Sequence, residues 1–185
     1  DAGLLNLRGC ESLQELILDD TPITDAALEH LRGLTELVRL ELNNTQVTGS
    51  GLAYLADLKQ LQGLNLRGTQ VTDQGPTHLR SLTQLQGLSL AHTKITDAGL
   101  VHLRGLSQLR GLDLTGTRVT DAGLEHLSGL TRLWELGLDD TQVTGKGLLH
   151  LRGATGLTSL GLDVAQADPA AVRQFKQALP HVQID

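Results

Sequence analysis

Five histidines, His30, His78, His102, His126 and His150, share one column of a 24-residue period, with Tyr54 and Gln174 interrupting it. Imidazoles ligate a metal only where they converge. Helices on successive repeats lie roughly 10 Å apart, whereas a zinc–nitrogen bond is about 2.0–2.1 Å. No carboxylate or cysteine joins the column at ligand spacing, so no metal site and only ordinary surface titration are expected. Ser89, His92 and Asp113 have the residue types of a nucleophile, a base and its orienting acid. Their placement is wrong for that work. Ser89 lies within a strand motif, His92 in the turn beyond it, and Asp113 one repeat later on a flat surface without an oxyanion hole. Neither a GxGxxG nor a P-loop string occurs. The expectation is a chain with no catalytic residue and no cofactor. Cys10, the single cysteine, cannot form an internal disulfide. A shift of 96 residues lays it on Leu106, so a small buried hydrophobe is expected rather than a reactive thiol.

Composition narrows the classes further. A chain of 185 residues implies one domain. Its net charge of -6 and pI near 5.6 argue against a phosphate-neutralising surface. Aromatics make up 2%, supplied by Trp134, Tyr54 and Phe175, which removes stacking platforms for single-stranded nucleic acid. No nucleic acid is expected as partner. No apolar run approaches the 18 or so residues of a membrane helix, so no membrane insertion is expected either. Leucine, with 42 copies, must build almost the whole core.

The elements that position these residues follow from the period. Leu16, Leu40, Leu64, Leu88, Leu112, Leu136 and Leu160 are spaced 24 apart without insertion, as are Leu18, Leu42, Leu66, Leu90, Leu114, Leu138 and Leu162. Threonines keep the same step at 21, 45, 69, 93, 117 and 141. In each unit a segment such as Leu109 to Leu114 alternates apolar with non-apolar residues, the period of a half-buried strand. Thr96-Asp97 then offers an N-cap and a carboxylate at the positive end of a helix. Leu100, Leu103 and Leu106 supply one apolar helical face. Gly105, with Gly33, Gly129 and Gly153, is expected to stop the helix in a left-handed conformation. Arg104 and its equivalents Arg32, Arg80 and Arg152 suit the negative end of the dipole. Such units bury their faces only by stacking.

LxxLxLxxT followed by TDAGLxHLxGL resembles the leucine-rich repeat, whose strand consensus is LxxLxLxxN/CxL. The 24-residue helical unit is similar to the ribonuclease-inhibitor-like branch, and most of all to bacterial proteins with TDAGL-type repeats. The resemblance implies an α/β right-handed solenoid, or horseshoe, of seven to eight repeats, with a parallel concave sheet and helices on the convex face. Two departures matter. Threonine replaces the consensus Asn or Cys throughout, and its hydroxyl can bond turn backbone of its own or the next coil. Pro76 stands where Leu52 and Leu100 stand, so the third complete helix is expected to be the weakest.

One leucine-rich-repeat domain is expected over residues 1–185: a truncated first repeat at 1–12, regular repeats over 13–156, and a degenerate repeat with a C-terminal cap over 157–185. Asp1-Ala-Gly-Leu4 falls on Asp97-Ala-Gly-Leu100, so position 1 is expected to lie inside a repeat of a longer chain. The threonine column fails at Ala165. Asp168-Pro169 restarts a helix as N-cap and N1, running to about Leu179, and His181 to Ile184 is positioned for a last edge strand. That end reads as a natural cap.

In the strand motif the residues flanking the leucines face the concave side. Those columns vary while the frame does not. Candidate partner-binding residues are Glu15, Asp19, Arg39, Glu41, Asn43, Asn65, Arg67, His92, Asp113, Thr115, Trp134, Glu135, Asp139 and Asp140. Gly63, Gly87 and Gly111 lower the relief between acidic ends. Trp134 is expected to be partly exposed, as a cation–π partner of Arg110 or as an anchor. The resemblance implies a non-catalytic protein-interaction module, acting as a monomer, whose partner is a protein or peptide, basic or extended. The alternatives are a structural spacer or surface-coat segment of a longer protein, and a regulatory region attached to a catalytic domain.

Overall fold

A computed structural model describes residues 1–185. Each 24-residue unit contributes one short strand: β1 (Glu15–Ile17), β2 (Arg39–Glu41), β3 (Gly63–Asn65), β4 (Gly87–Ser89), β5 (Gly111–Asp113), β6 (Glu135–Gly137) and β7 (Ser159–Gly161). A two-residue β8 (Gln183–Ile184) completes one parallel sheet whose strand order is the chain order. The register equals the sequence period. Leu40 pairs with Leu64, Leu64 with Leu88 and Leu88 with Leu112, so each strand leucine stacks on its counterpart. These leucines are at most 3% exposed and belong to a single core cluster of 46 residues. Leucine does build the core.

Parallel neighbours need a crossover, and the helical half of each unit supplies it. Only two regular units contain an α-helical turn, α1 (Asp25–Leu28) and α2 (Asp97–Leu100). Thr24 and Thr96 cap them, each hydroxyl accepting from the amide two residues on. Elsewhere the crossover is a 3₁₀ segment, at Gly51–Leu55, Gly75–Ser81, Gly123–Leu127 and Lys146–Gly153. The leucine spacing carries the reason. Positions 100, 103 and 106 are three apart, which aligns them on a helix of three residues per turn.

Two expectations need correction. Gly33, Gly105, Gly129 and Gly153 are not left-handed; in that column only Gly9 has positive φ, at 93°. A 3₁₀ turn ends without the reversal that an α-helical C′ residue makes. Cys10 is exposed rather than buried, because the first helical segment, Ala2–Leu7, lies at the end of the stack and has no buried residue. Pro76 does not leave its slot empty: it is buried in the place of the missing leucine, at the start of a seven-residue 3₁₀ segment where its absent N–H costs little.

The threonine column bonds its own coil. Thr45, Thr69 and Thr117 donate to the carbonyls of Leu42, Leu66 and Leu114 at 2.8, 2.7 and 2.6 Å. At the far end Asp168 accepts from Ala170 N at 2.9 Å and opens α3 (Pro169–Ala178), whose Phe175 is fully buried against the core.

Candidate functional site

The residues after each strand are less free than their variety suggests. Asp20, Asn44, His92 and Asp140 have φ of 55, 54, 53 and 54°, and Gly68 and Gly116 have 68 and 67° in the same column. Left-handed backbone admits glycine first and Asn, Asp and His next, which are the types found. His92 and Asp140, read from sequence as candidate binding residues, therefore occupy positions selected by the turn. The restriction to Asp, Asn, Gly and His was the signal.

Within the strands, side chains at the first and third positions face away from the core and line a trough of about 610 Å³. It contains seven of the sequence-derived candidates: Arg39, Glu41, Asn65, Asp113, Thr115, Glu135 and Asp139. Glycines at 63, 87, 111, 137 and 161 form its floor. Ser89, Ser159 and Asp185, absent from the candidate set, also line it. Glu15, Asp19, Asn43, Arg67, His92, Trp134 and Asp140 lie outside the lining. Asn43 donates its backbone N–H to Asp19 at 2.8 Å, while its own Oδ1 is buried without a partner. Trp134 is 48% exposed where the chain enters β6. It makes no cation–π contact with Arg110; the contact of that kind is Arg32 over Tyr54, 4.6 Å from the ring centre.

Charge is unevenly spread along the trough. Arg39 is held by Glu41 at 2.7 Å and Glu15 at 3.0 Å, and these carboxylates, Glu41 foremost, strengthen its hold on its proton. Arg67 lies 3.9 Å from Asp113. Beyond it Glu135, Asp139 and Asp163 have no cationic partner. Burial pushes the Asp139 carboxyl up, and Asp140, Asp113 and Asp163 add to the effect against a hydrogen bond from its own backbone. Ser89 donates to Asp113 at 3.2 Å. The His92 ring instead lies against Gly116, so the three residues assemble no triad.

What holds these strands in line includes a contact the sequence reading missed. Asp1, Asp25, Asp73, Asp97 and Asp121 each take the N–H and hydroxyl of a threonine one coil on, at 2.5–3.0 Å. The carboxylate assigned to a helix dipole is thus also a clamp between coils. The neighbouring glycine makes room for it: a Cβ at Gly51, Gly99 or Gly123 would run into Asp25, Asp73 or Asp97. The recurrence of Thr-Asp-x-Gly was the visible signal.

The histidine column lies on the opposite, helical side. Arginine of one coil reaches histidine of the next: Arg8 to His30 at 3.1 Å, Arg104 to His126 at 2.5 Å, and Arg80 to His102. No group of three His, Cys, Asp or Glu side chains stands close enough to hold a metal ion. His102 departs from ordinary titration, since burial and then the Arg80 charge lower its pKa against Asp73.

A family model described as leucine rich repeat matches residues 60–119. Internalin C2 of Listeria monocytogenes is similar to the chain at a TM-score of 0.74 and 25% identity, over 96% of this chain and 72% of that one. A second internalin of the same organism gives a TM-score of 0.69 at 25% identity, over 84% of this chain and 49% of the other. No curated protein matches the sequence. No helix is long and apolar enough to cross a membrane. The strand leucines, their in-register parallel ladder and the consensus matched over residues 60–119 agree on one architecture: the chain has the solenoid fold of the leucine-rich repeat.

Proposed function

We propose that the chain is a non-catalytic protein-interaction module that takes an extended, basic segment of another protein on its concave sheet, as a monomer. Leucine-rich repeat proteins are interaction proteins, and both structural relatives share that architecture. The observation that carries the reading is the glycine-floored trough. Bare floor at Gly63, Gly87 and Gly111 lets another backbone approach the sheet, while acids at its far half favour a cationic partner. Trp134, exposed beside that half, is suited to anchor the partner's edge.

The test uses the space above Gly87, where an added Cβ meets nothing within 4 Å. Gly87→Tyr fills the trough without disturbing the core. Partners captured by the whole chain are titrated against wild type, Gly87→Tyr and Lys59→Ala, a variant outside the trough in the turn that precedes β3. We expect Gly87→Tyr to weaken binding at least about 10-fold, the 1.4 kcal/mol of a modest interface residue, with an unchanged melting midpoint. Loss of binding in Lys59→Ala with none in Gly87→Tyr would place the interface elsewhere.

A further inference from the structure

We propose that the convex side carries an acid-sensitive joint between coils, built from arginine–histidine rungs that hold only while the imidazoles are neutral. Arg8 meets Nδ1 of His30 at 3.1 Å, Arg104 meets Nδ1 of His126 at 2.5 Å, and Arg80 meets Nδ1 of His102. Each rung joins the last turn of one coil to the helical segment of the next. A guanidinium is all donors and keeps its charge. The contact therefore needs a lone pair on Nδ1, which fixes the neutral Nε2–H tautomer. Protonation removes that lone pair and leaves two cations at contact distance. Where Tyr54 replaces histidine, Arg32 stacks on its ring instead, 4.6 Å from the centre, a rung with nothing to titrate near neutral pH. His78 and His150 stand opposite Ala56 and Ser128 rather than arginine, and have no rung.

The surrounding charges offset the conflict only in part: Asp73 opposes burial and Arg80 at His102 without cancelling them. Around His30 these are Asp1 and Arg8 on the preceding coil and Asp25, Glu29 and Arg32 on its own. Around His102 they are Asp73, His78 and Arg80 before it, Asp97 and Arg104 beside it, and Glu125 and His126 after. Around His126 they are Asp97, His102 and Arg104 before it, Asp121 and Glu125 beside it, and Lys146 and His150 after. The aspartates of this set are engaged by threonines of the next coil, and the ion pairs of the molecule involve Arg39 and Arg67 alone. The lowered pKa of His102, from burial and Arg80, agrees with the geometry. His102, harder to protonate folded than unfolded, stabilises the fold above its ordinary value of 6.5, and that stability is lost as pH falls through it towards the folded value. Each coil touches only its neighbours, so a weakened rung weakens the interface it spans. The joint is independent of what the concave face binds.

Melting midpoints at pH 7.5 and 5.5 test this in the whole chain. The wild type should melt lower at pH 5.5, by about 2–4 °C. Combining His30→Gln, His102→Gln and His126→Gln keeps an acceptor for each arginine and removes the proton; the shift should fall to less than half. His78→Gln with His150→Gln should shift like wild type. A triple variant as acid-sensitive as wild type, or a wild type with no shift, overturns the proposal. Should the triple variant not fold, imidazole ¹⁵N spectra of the wild type at pH 7.5 decide: unprotonated Nδ1 at His30, His102 and His126 supports the rungs, and an Nδ1–H tautomer overturns them.

Discussion

Gly116 and Gly105 separate two roles that glycine plays in one repeat. Gly116 has φ of 67° and faces the His92 ring, whereas Gly105 is not left-handed and an added Cβ there meets nothing within 4 Å. Gly116→Ala should cost about 1–2 kcal/mol for the left-handed backbone alone. Gly105→Ala should be neutral to stabilising, by about 0.4–1 kcal/mol, because it restricts the unfolded chain without straining the native one. Urea unfolding of the two variants checks the pair; equal losses would mean that Gly105 is doing a terminating job after all. Asp139 tests the trough at the same scale. Its pKa is raised above the ordinary 3.8 by burial and by neighbouring carboxylates. A group raised in this way contributes most below its unfolded value, and the contribution is lost as pH rises through the folded one. At pH 7 the folded state therefore bears the cost of the charge. Asp139→Asn should raise the melting midpoint at pH 7, with the gain vanishing near pH 3.5, and should weaken a basic partner. A gain in stability with a loss of binding is the mark of a residue kept for its surface role.

At the scale of the element, the coils differ in how firmly they are tied. Five aspartates clamp the threonine of the next coil, but Gly49 stands where the clamp to Thr72 would originate. There a Cβ would come within 2.9 Å of Gly75 N, so the two coils approach too closely for an aspartate. The first helical segment, Ala2–Leu7, has Asp1 clamped to Thr24 yet buries no residue. The segment from Leu100 to Leu103 has both neighbours and is buried at each leucine. In a nearest-neighbour array, opening is easiest where contacts are one-sided. Native-state hydrogen exchange should find amides of residues 1–7 far less protected than those of 100–104. Equal protection would show the stack melting as one unit. Pro76, at the start of a 3₁₀ turn, gives up no backbone hydrogen bond there and is itself buried.

For the whole molecule, a period without insertions determined most of the architecture. When every unit has 24 residues, parallel in-register stacking is the arrangement that sets each leucine on its equivalent, and the pairing of Leu64 with Leu88 follows from counting. The strand positions, the apolar core, the closing helix after Asp168 and the open face between the leucines were legible for the same reason: each depends on periodicity within a unit. Seven of the fourteen candidate residues do line the trough, since alternation along a strand is a local rule. The tertiary structure decided whatever depends on a neighbour one coil away. The Asp–Thr clamps, the room that Gly99 leaves for Asp73, the exposure of Cys10 at the end of the stack and the arginine–histidine rungs join residues 22 or more apart in sequence. It also decided the left-handed turn at His92, where the backbone and not the side chain's chemistry selected the residue. Alternation and capping act along the chain, whereas contact and strain arise only when one coil is laid upon the next.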